Sequence, residues 1–283
     1  MDIVPIGLDD ESFAAYAALF AACFPKSGKF SSAYLAWLYR DNPHGKAIGF
    51  DARDGGKLAA HYVCIPVAVV LQGRPVRAML SLNTATHPQY QGRGLFTRLA
   101  EQTYSRAAEL GIAAVCGVAN GNSTPGFTRK LGFALIEPLQ AAVGVGRLSI
   151  DPEQAANTAG FRYAWSRAAL AWRCASPAGP VALRLQGNRL QCAARAAGGA
   201  LHAYAELAAP DFVLPEQRTS LHWAKPRLFL GLVPGQAGIG SYLAIPQRLR
   251  PSPLNFIFRP LSREVEAPRR GEISLSFLDF DAY

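Results

Sequence analysis

Residues 81–96 read Ser81-Leu-Asn-Thr-Ala-Thr-His-Pro-Gln-Tyr-Gln-Gly-Arg-Gly-Leu-Phe96. The first six residues suit a strand, and His87-Pro88 ends it, because proline cannot donate to a β-ladder. Two glycines, Gly92 and Gly94, then lead into a helix that the apolar spacing of Leu95, Phe96, Leu99, Ala100, Thr103, Ala107 and Leu110 predicts to run to Leu110, with Gly111 as its C-terminal cap. Backbone N–H groups at a helix start have no intrahelical acceptor and carry the positive end of the helix dipole. Glycines there let an anion approach closely, so the turn makes a phosphate cradle that needs neither lysine nor metal. It is not a P-loop, since GxxxxGK[ST] is absent. Nor is it a dinucleotide fingerprint, because Thr97 stands where the third glycine belongs and the preceding strands look like hairpins.

Working outward, Asp2 to Ile6 reads as a strand, Asp9 to Cys23 as an amphipathic helix and Ser32 to Tyr39 as a second helix. Strands are predicted at Lys46 to Ala52 and Leu58 to Val70 around the turn Asp54-Gly55-Gly56, and again at Val76 to Thr86. After the helix comes a buried strand, Ile112 to Ala119, then a short helix at Phe127 to Leu131, then a strand opened by Gly132-Phe133. The result is an α+β unit with a βαβ centre. Leu35-Ala36-Trp37 recurs as Leu170-Ala171-Trp172, each followed by a proline and a strand-like pair, Val181 to Leu185 and Leu190 to Ala197 in the second case. In an alanine-rich chain so short a motif leaves duplication and coincidence both open. The expected division is 1–148 and 149–283, the second part being a smaller α+β domain or a degenerate copy of the first.

Gln89-x-x-Gly92-x-Gly94 resembles the Q/R-x-x-G-x-G/A signature of the GNAT acetyltransferase superfamily. Downstream, Asn120-Gly-Asn-Ser-Thr-Pro-Gly-Phe-Thr-Arg-Lys-Leu-Gly132-Phe133 is similar to its second motif, an Asn before a short helix that ends in Leu-Gly-Phe. The resemblance spans roughly residues 3–145 and is closest to a two-domain subgroup. It implies a mixed sheet flanked by helices and acetyl-CoA as acyl donor. Backbone groups of Thr84, Ala85 and Thr86 would pair with the pantetheine arm. Amides of Gln91, Gly92, Arg93, Gly94, Leu95 and Phe96 would hold the pyrophosphate, and Asn122 would contact the cofactor arm. The acceptor would be a primary amine of a small molecule, an amino sugar or nucleotide-sugar being favoured by analogy.

The family's usual acid and base are missing. The strand Ala78 to Thr86 has no carboxylate, and Phe127 or Arg129 stands where a tyrosine is expected. Asn83, His87 and Tyr90 are the nearby polar groups. The terminal stretch Phe277-Leu-Asp279-Phe-Asp281-Ala-Tyr283 could supply carboxylates, so Asn83, Asp281 and Tyr283 are the catalytic candidates. The gaps keep open a non-catalytic acyl-CoA-binding module, and the tandem architecture keeps open an aminoacyl transferase using charged tRNA.

Net charge is +9, spread over both halves, which suits anionic ligands but carries no nucleic-acid motif. Arg248, Arg250, Arg259, Arg263, Arg269 and Arg270 form a loose basic series that reads as solvated surface or as a contact for an acceptor's phosphate. Five scattered cysteines without a CxxC pair, and five histidines without metal spacing, give no disulfide framework and no metal site. No apolar run is long enough for a membrane helix, and the acidic N-terminus is unlike a secretory leader, so the expected location is the cytoplasm. The sequence sets no oligomeric state.

Overall fold

The computed structural model describes residues 1–217, 219, 221–236 and 238–280. The chain opens with β1 (Asp2–Pro5), α1 (Asp10–Cys23) and α2 (Ser32–Tyr39). Each helix starts where a side chain satisfies a free amide: Asp9 accepts from Ser12 N, and Ser31 from Tyr34 N. Then come β2 (Ile48–Asp54), β3 (Lys57–Leu71), β4 (Arg74–Thr86), α3 (Leu95–Glu109), β5 (Ala114–Asn120), α4 (Thr124–Lys130) and β6 (Ala134–Pro138). The predicted elements of this half are present, with ends moved by a few residues.

The first half ends with β7 (Gln140–Gly144), and the second holds α5 (Pro152–Thr158), β8 (Phe161–Tyr163), α6 (Arg167–Cys174), β9 (Ala182–Gln186), β10 (Arg189–Ala196), β11 (Leu201–Ala208), β12 (Arg227–Gly231), β13 (Leu243–Ala244) and β14 (Leu254–Pro260). Two mixed sheets result. The first runs β1-β2-β3-β4-β5-β14-β6, with β8 paired to β3; the second runs β13-β7-β12-β11-β10-β9.

Strand pairing therefore does not follow a cut at residue 148. β7 belongs to the second sheet, whereas β14 sits between β5 and β6 in the first. Strand for strand, β2-β3-β4-β5-β14-β6 corresponds to β9-β10-β11-β12-β7-β13, down to the parallel pair in each, β4 with β5 and β11 with β12. Each sheet thus receives its penultimate strand from the other half of the chain. Two arginines from the basic series secure this exchange rather than face solvent: Arg259 pairs with Glu101 and donates to Leu131 O, and Arg250 donates to Leu139 O and Ile245 O.

The recurring Leu-Ala-Trp motif lies at the junction. Trp37 Nε1 donates to Trp172 O at 2.9 Å and Trp172 Nε1 donates to Trp37 O at 3.0 Å, a reciprocal pair across 135 residues. Their indoles stack at 4.4 Å and 16°. Such reciprocity is what a local two-fold relation between α2 and α6 produces. Both helices also begin with a serine cap, Ser31 on Tyr34 N and Ser166 on Ala169 N.

What the second sheet lacks are the crossing helices. The connection from β4 to β5 carries α3 and that from β5 to β6 carries α4, but 209–226 and 232–242 contain no helix among the described residues. Apolar packing covers both faces of the first sheet. One face, with Leu80, Cys116 and Phe256, packs on α1 and α2, and the other, with Met79, Val115 and Ile257, packs on α3 and α4.

Candidate active site

β4 and β5 pair only from Ala78 with Ala114 to Ser81 with Gly117. Beyond Ser81 the strands part. β4 stays bound to β3 through Thr86, β5 stays bound to β14 through Asn120, and no described strand fills the wedge between them. The inner edge of β4 over Thr84, Ala85 and Thr86 therefore faces no partner strand. Asn83 stands at the parting with φ 46°, in the left-handed region that asparagine tolerates better than most residues. The ladder between β3 and β4 shifts register beside it, between His61 and Val63.

The glycine turn stands at the open end of the wedge. Gly92 and Gly94 have φ 75° and 70°, and a side chain at either would meet nothing within 4 Å. Gly94 caps α3 without a side-chain bond, and among the described residues no acceptor holds the amides from Gly92 to Phe96. This is an exposed anion cradle at a helix of 15 residues. Arg93 lies over the Tyr90 ring at 5.1 Å and donates to Gln89 O, so it braces the turn. Gln91 differs from the other loop residues in that its side chain donates to Thr86 O at 3.4 Å and ties the turn to β4. His87 accepts from Gln89 N and packs edge-on to Tyr90, whose hydroxyl donates to Asp54; both are structural parts of the turn.

On the other arm of the wedge, Asn120 Oδ1 accepts from the amides of Asn122 and Ser123, and Thr124 Oγ1 donates to Asn120 O. Asn120 thus shapes the turn, while the exposed side chain of Asn122 stays outside that scaffold. Helices α3 and α4 meet through Phe96 and Phe127, edge to face at 5.2 Å.

A buried polar chain runs back from Asn83. Its Nδ2 donates to Tyr39 Oη at 3.1 Å; Tyr39 Oη lies 3.2 Å from His61 Nε2; and His61 Nδ1 lies 2.7 Å from Asp51 Oδ1. Tyr16 closes it by donating to Asp51 Oδ2 at 2.8 Å, while Arg53 approaches the same oxygen at 3.6 Å. Tyr16, Tyr39, Asp51 and His61 are fully buried. The order of donors is self-consistent: with Nδ1–H donating to Asp51, Nε2 accepts from the Tyr39 hydroxyl, which in turn accepts from Asn83. Burial and the neighbouring Asp51 carboxylate raise the Tyr16 pKa, so that hydroxyl remains a donor.

A second chain lies on the α3 side, where Tyr62 Oη bonds both Ser81 Oγ and Tyr104 Oη. Burial holds both phenols well above their ordinary pKa. The sequence reading contained neither chain. A plain fold of the predicted hairpin about Gly55-Gly56 would set Asp51 opposite Ala60; a register shift between Ala52 and Arg53 brings it opposite His61 instead, so the pairing was not legible from the turn.

Residues 6–136 match the family model described as an acetyltransferase (GNAT) domain. The chain carries a GNAT acetyltransferase domain. The GNAT fold brings with it the acyltransferase class and an acyl-CoA donor. Among solved structures, a GCN5-related N-acetyltransferase from Kribbella flavida is similar over 92% of this chain and 72% of its own, with a TM-score of 0.61 and 13% identity. One from Anabaena variabilis covers 92% and 73% with a TM-score of 0.58 and 13% identity. Eis1 from Mycobacterium abscessus covers 92% and 74% with a TM-score of 0.53 and 11% identity. These likenesses are of fold, and they extend well past the GNAT segment into the second sheet. No curated protein matches the sequence.

Within the GNAT domain the structure gathers Asn83, Thr84, Ala85, Thr86, the loop from Gln91 to Phe96, and Asn122 around one wedge. Asp281 and Tyr283 lie outside the described residues. Asp279, two positions earlier, is buried and bonded to Trp165 and Ser276, both in the second half of the chain. No helix among the described residues is long and apolar enough to cross a membrane.

Proposed function

We propose that the protein transfers an acetyl group from acetyl-CoA to a primary amine of a small molecule. The observation that carries this reading is the open wedge between β4 and β5, with unpaired strand edge on one side and the uncapped start of α3 at its mouth. Thr84, Ala85 and Thr86 add the pantetheine arm as a strand. The amides of Gly92 to Phe96, steadied by Gln91 and Arg93, take the pyrophosphate, and Asn122 contacts the arm from β5.

The amine nitrogen attacks the thioester carbonyl, forming a C–N bond; the tetrahedral intermediate collapses by breaking C–S. The nitrogen must lose one proton, and the sulfur leaves as a thiolate that takes one from solvent at the open mouth of the wedge. In this reading the nitrogen's proton passes toward Tyr39 at the Asn83 end of the buried chain, and the Tyr39 proton moves onto His61 Nε2. Asp51 holds the imidazole in the accepting tautomer and stabilises the imidazolium. His61 and Asp51 are positioning residues, since neither reaches the wedge. Amino sugars and their nucleotide conjugates are the acceptors to assay first, because a chain of net charge +9 draws anionic conjugates toward it.

The test is calorimetric titration of acetyl-CoA. Because φ is positive at Gly92, any replacement there strains the backbone; Gly92→Asn and Gly92→Asp share that strain and differ in charge. Binding retained by the Asn variant and abolished in the Asp variant supports a pyrophosphate at the cradle. Equal binding by both variants removes it.

A further inference from the structure

The second sheet opens as the first does. β11 and β12 pair in parallel at His202 with Arg227 and Ala203 with Leu228. β11 then continues to Ala208 held only by β10, while the chain after β12 turns to the tail, Leu232 exchanging backbone bonds with Leu275 at 2.8 and 3.0 Å. Between them lies a cavity of about 440 Å³, within the range that holds small molecules. The short helix α5 lines one wall, but its Glu153 and Gln154 amides are already taken by Asp151, and 209–226 adds no helix among the described residues.

Its walls carry the opposite charge to the chain. Four carboxylates line it, Glu153, Glu206, Asp211 and Asp279, against a single arginine, Arg162. Glu153 and Asp211 are exposed at the mouth. Arg162 is turned to the backbone, donating to Ala156 O and Tyr163 O. Glu206 is engaged by Arg189 at 2.8 Å, Leu148 N at 2.9 Å and Tyr204 Oη at 2.7 Å.

Asp279 is different. It is 4% exposed and accepts from Trp165 Nε1 at 3.1 Å, Ser276 N at 2.6 Å and Ser276 Oγ at 3.0 Å, but no described cation lies within ion-pair distance. A buried carboxylate without a counter-charge is costly unless a cation reaches it. Beside it the wall is aromatic, with Tyr163, Trp165, Phe212 and Phe229, whose ring faces attract ammonium groups.

We propose that this cleft binds a small ligand bearing a protonated amine on an apolar or aromatic body, with Asp279 and the Trp165 ring receiving the ammonium group. The inference stands on this cleft alone and does not rest on the acyl-CoA reading. Asp279 itself supports it. Burial pushes its pKa up to about 6, opposed by the Ser276 and Trp165 bonds and by Arg173 at a distance. The other titratable neighbours are Cys116, Tyr163 and Cys192, all held protonated by burial. Amine binding therefore strengthens as pH rises through about 6, where Asp279 ionises.

The experiment is calorimetric titration of the full chain with phenethylamine, with 2-phenylethanol and N-(2-phenylethyl)acetamide as neutral ligands of the same body. Saturable binding by the amine alone is expected, weakened about ten- to a hundredfold by Asp279→Asn. Should that variant fail to fold, Ala208→Trp obstructs the half-exposed cleft wall and leaves the carboxylate in place. Acetyl-CoA binding unchanged in the variants reports an intact fold. Equal binding of amine and alcohol, no binding of the amine, or full amine affinity in Ala208→Trp overturns the proposal.

Discussion

The two wedges of this molecule share a topology and differ in what crosses between their strands. In the first, the connection after β4 is a glycine turn and a 15-residue helix; in the second, the connection after β11 holds no helix among the described residues. The first wedge therefore presents free amides and a dipole to an anion, and the second presents carboxylates and aromatic rings to a cation. Strand order alone makes a cleft; the crossover supplies the polar groups of the first, while α5, β11 and the tail supply most of those in the second. The strand exchange means that neither wedge is built by one half of the chain. β14 supports the arm of the first and β7 the flank of the second.

The junction between the halves offers the largest effect. Trp172→Ala removes a stacked indole, its bond to Trp37 O and the ring under Arg173, whose guanidinium lies 4.7 Å from it. Truncating a large aromatic at a packed site costs about 3–5 kcal/mol. Urea unfolding should show this loss for Trp172→Ala and a similar one for Trp37→Ala, with the double variant losing less than the sum because the partners are shared. Full additivity would mean that the two-fold relation contributes nothing to stability.

Next comes the ionisation of Asp279. Its folded pKa, about 6, lies above the ordinary 3.8, so the folded state favours the protonated form. Its contribution to stability is fully present below about 3.8 and is lost as pH rises through 6, a difference of about 3 kcal/mol. Comparing Asp279→Asn with the parent by urea unfolding at pH 4 and pH 7 isolates it. The variant should gain on the parent by about that amount at the higher pH. A constant gap would mean that the carboxylate is better solvated than its burial suggests. The first wedge contains no such group, since Asp51 faces His61 and Arg53.

Tyr39→Phe is sharper on chemistry and milder on stability. Removing the hydroxyl separates Asn83 from His61 and should lower kcat about a hundredfold, the usual scale for a proton-transfer group, with acetyl-CoA affinity unchanged. His61→Gln should lower kcat by a similar factor, again with acetyl-CoA affinity unchanged. Full kcat in either variant would assign the chain to packing alone.

Much of the first wedge was legible because its parts are local. The glycine turn, the helix after it and the Asn120 turn each lie within a short stretch, and each uses a residue type that backbone geometry demands. The buried chain from Asn83 to Asp51 was not, because its members come from α2, β2, β3 and β4 and meet only once the sheet forms. Strand exchange was invisible for a similar reason: the sequence reading contains neither β7 nor β14 as a separate strand, and nothing local in them says which sheet takes them. Leu-Ala-Trp was visible as a repeat, but only the reciprocal indole bonds give it a role. Asp279 lay within the terminal stretch suspected of chemistry, yet the structure joins it to Trp165 and Ser276 in the second cleft.

The smallest expected effect tests how closely the helices of the first wedge are fitted. Gly126 sits in α4, and a Cβ there would lie 3.0 Å from Phe96 Cε1, closer than such contacts usually come. Alanine is the better helix former by about 1 kcal/mol, and crowding a packed site costs about as much or slightly more. The two nearly cancel, so Gly126→Ala should change stability by only about 1 kcal/mol. Binding should respond more, because Phe96 belongs to the first turn of α3 and any shift of its ring moves the amides of the cradle. A several-fold weakening of acetyl-CoA at nearly constant stability is expected by calorimetry. Phenethylamine at the second cleft should be unaffected, since no helix pair governs that opening. Loss at both sites would show that the two wedges are coupled through the shared strands rather than built independently.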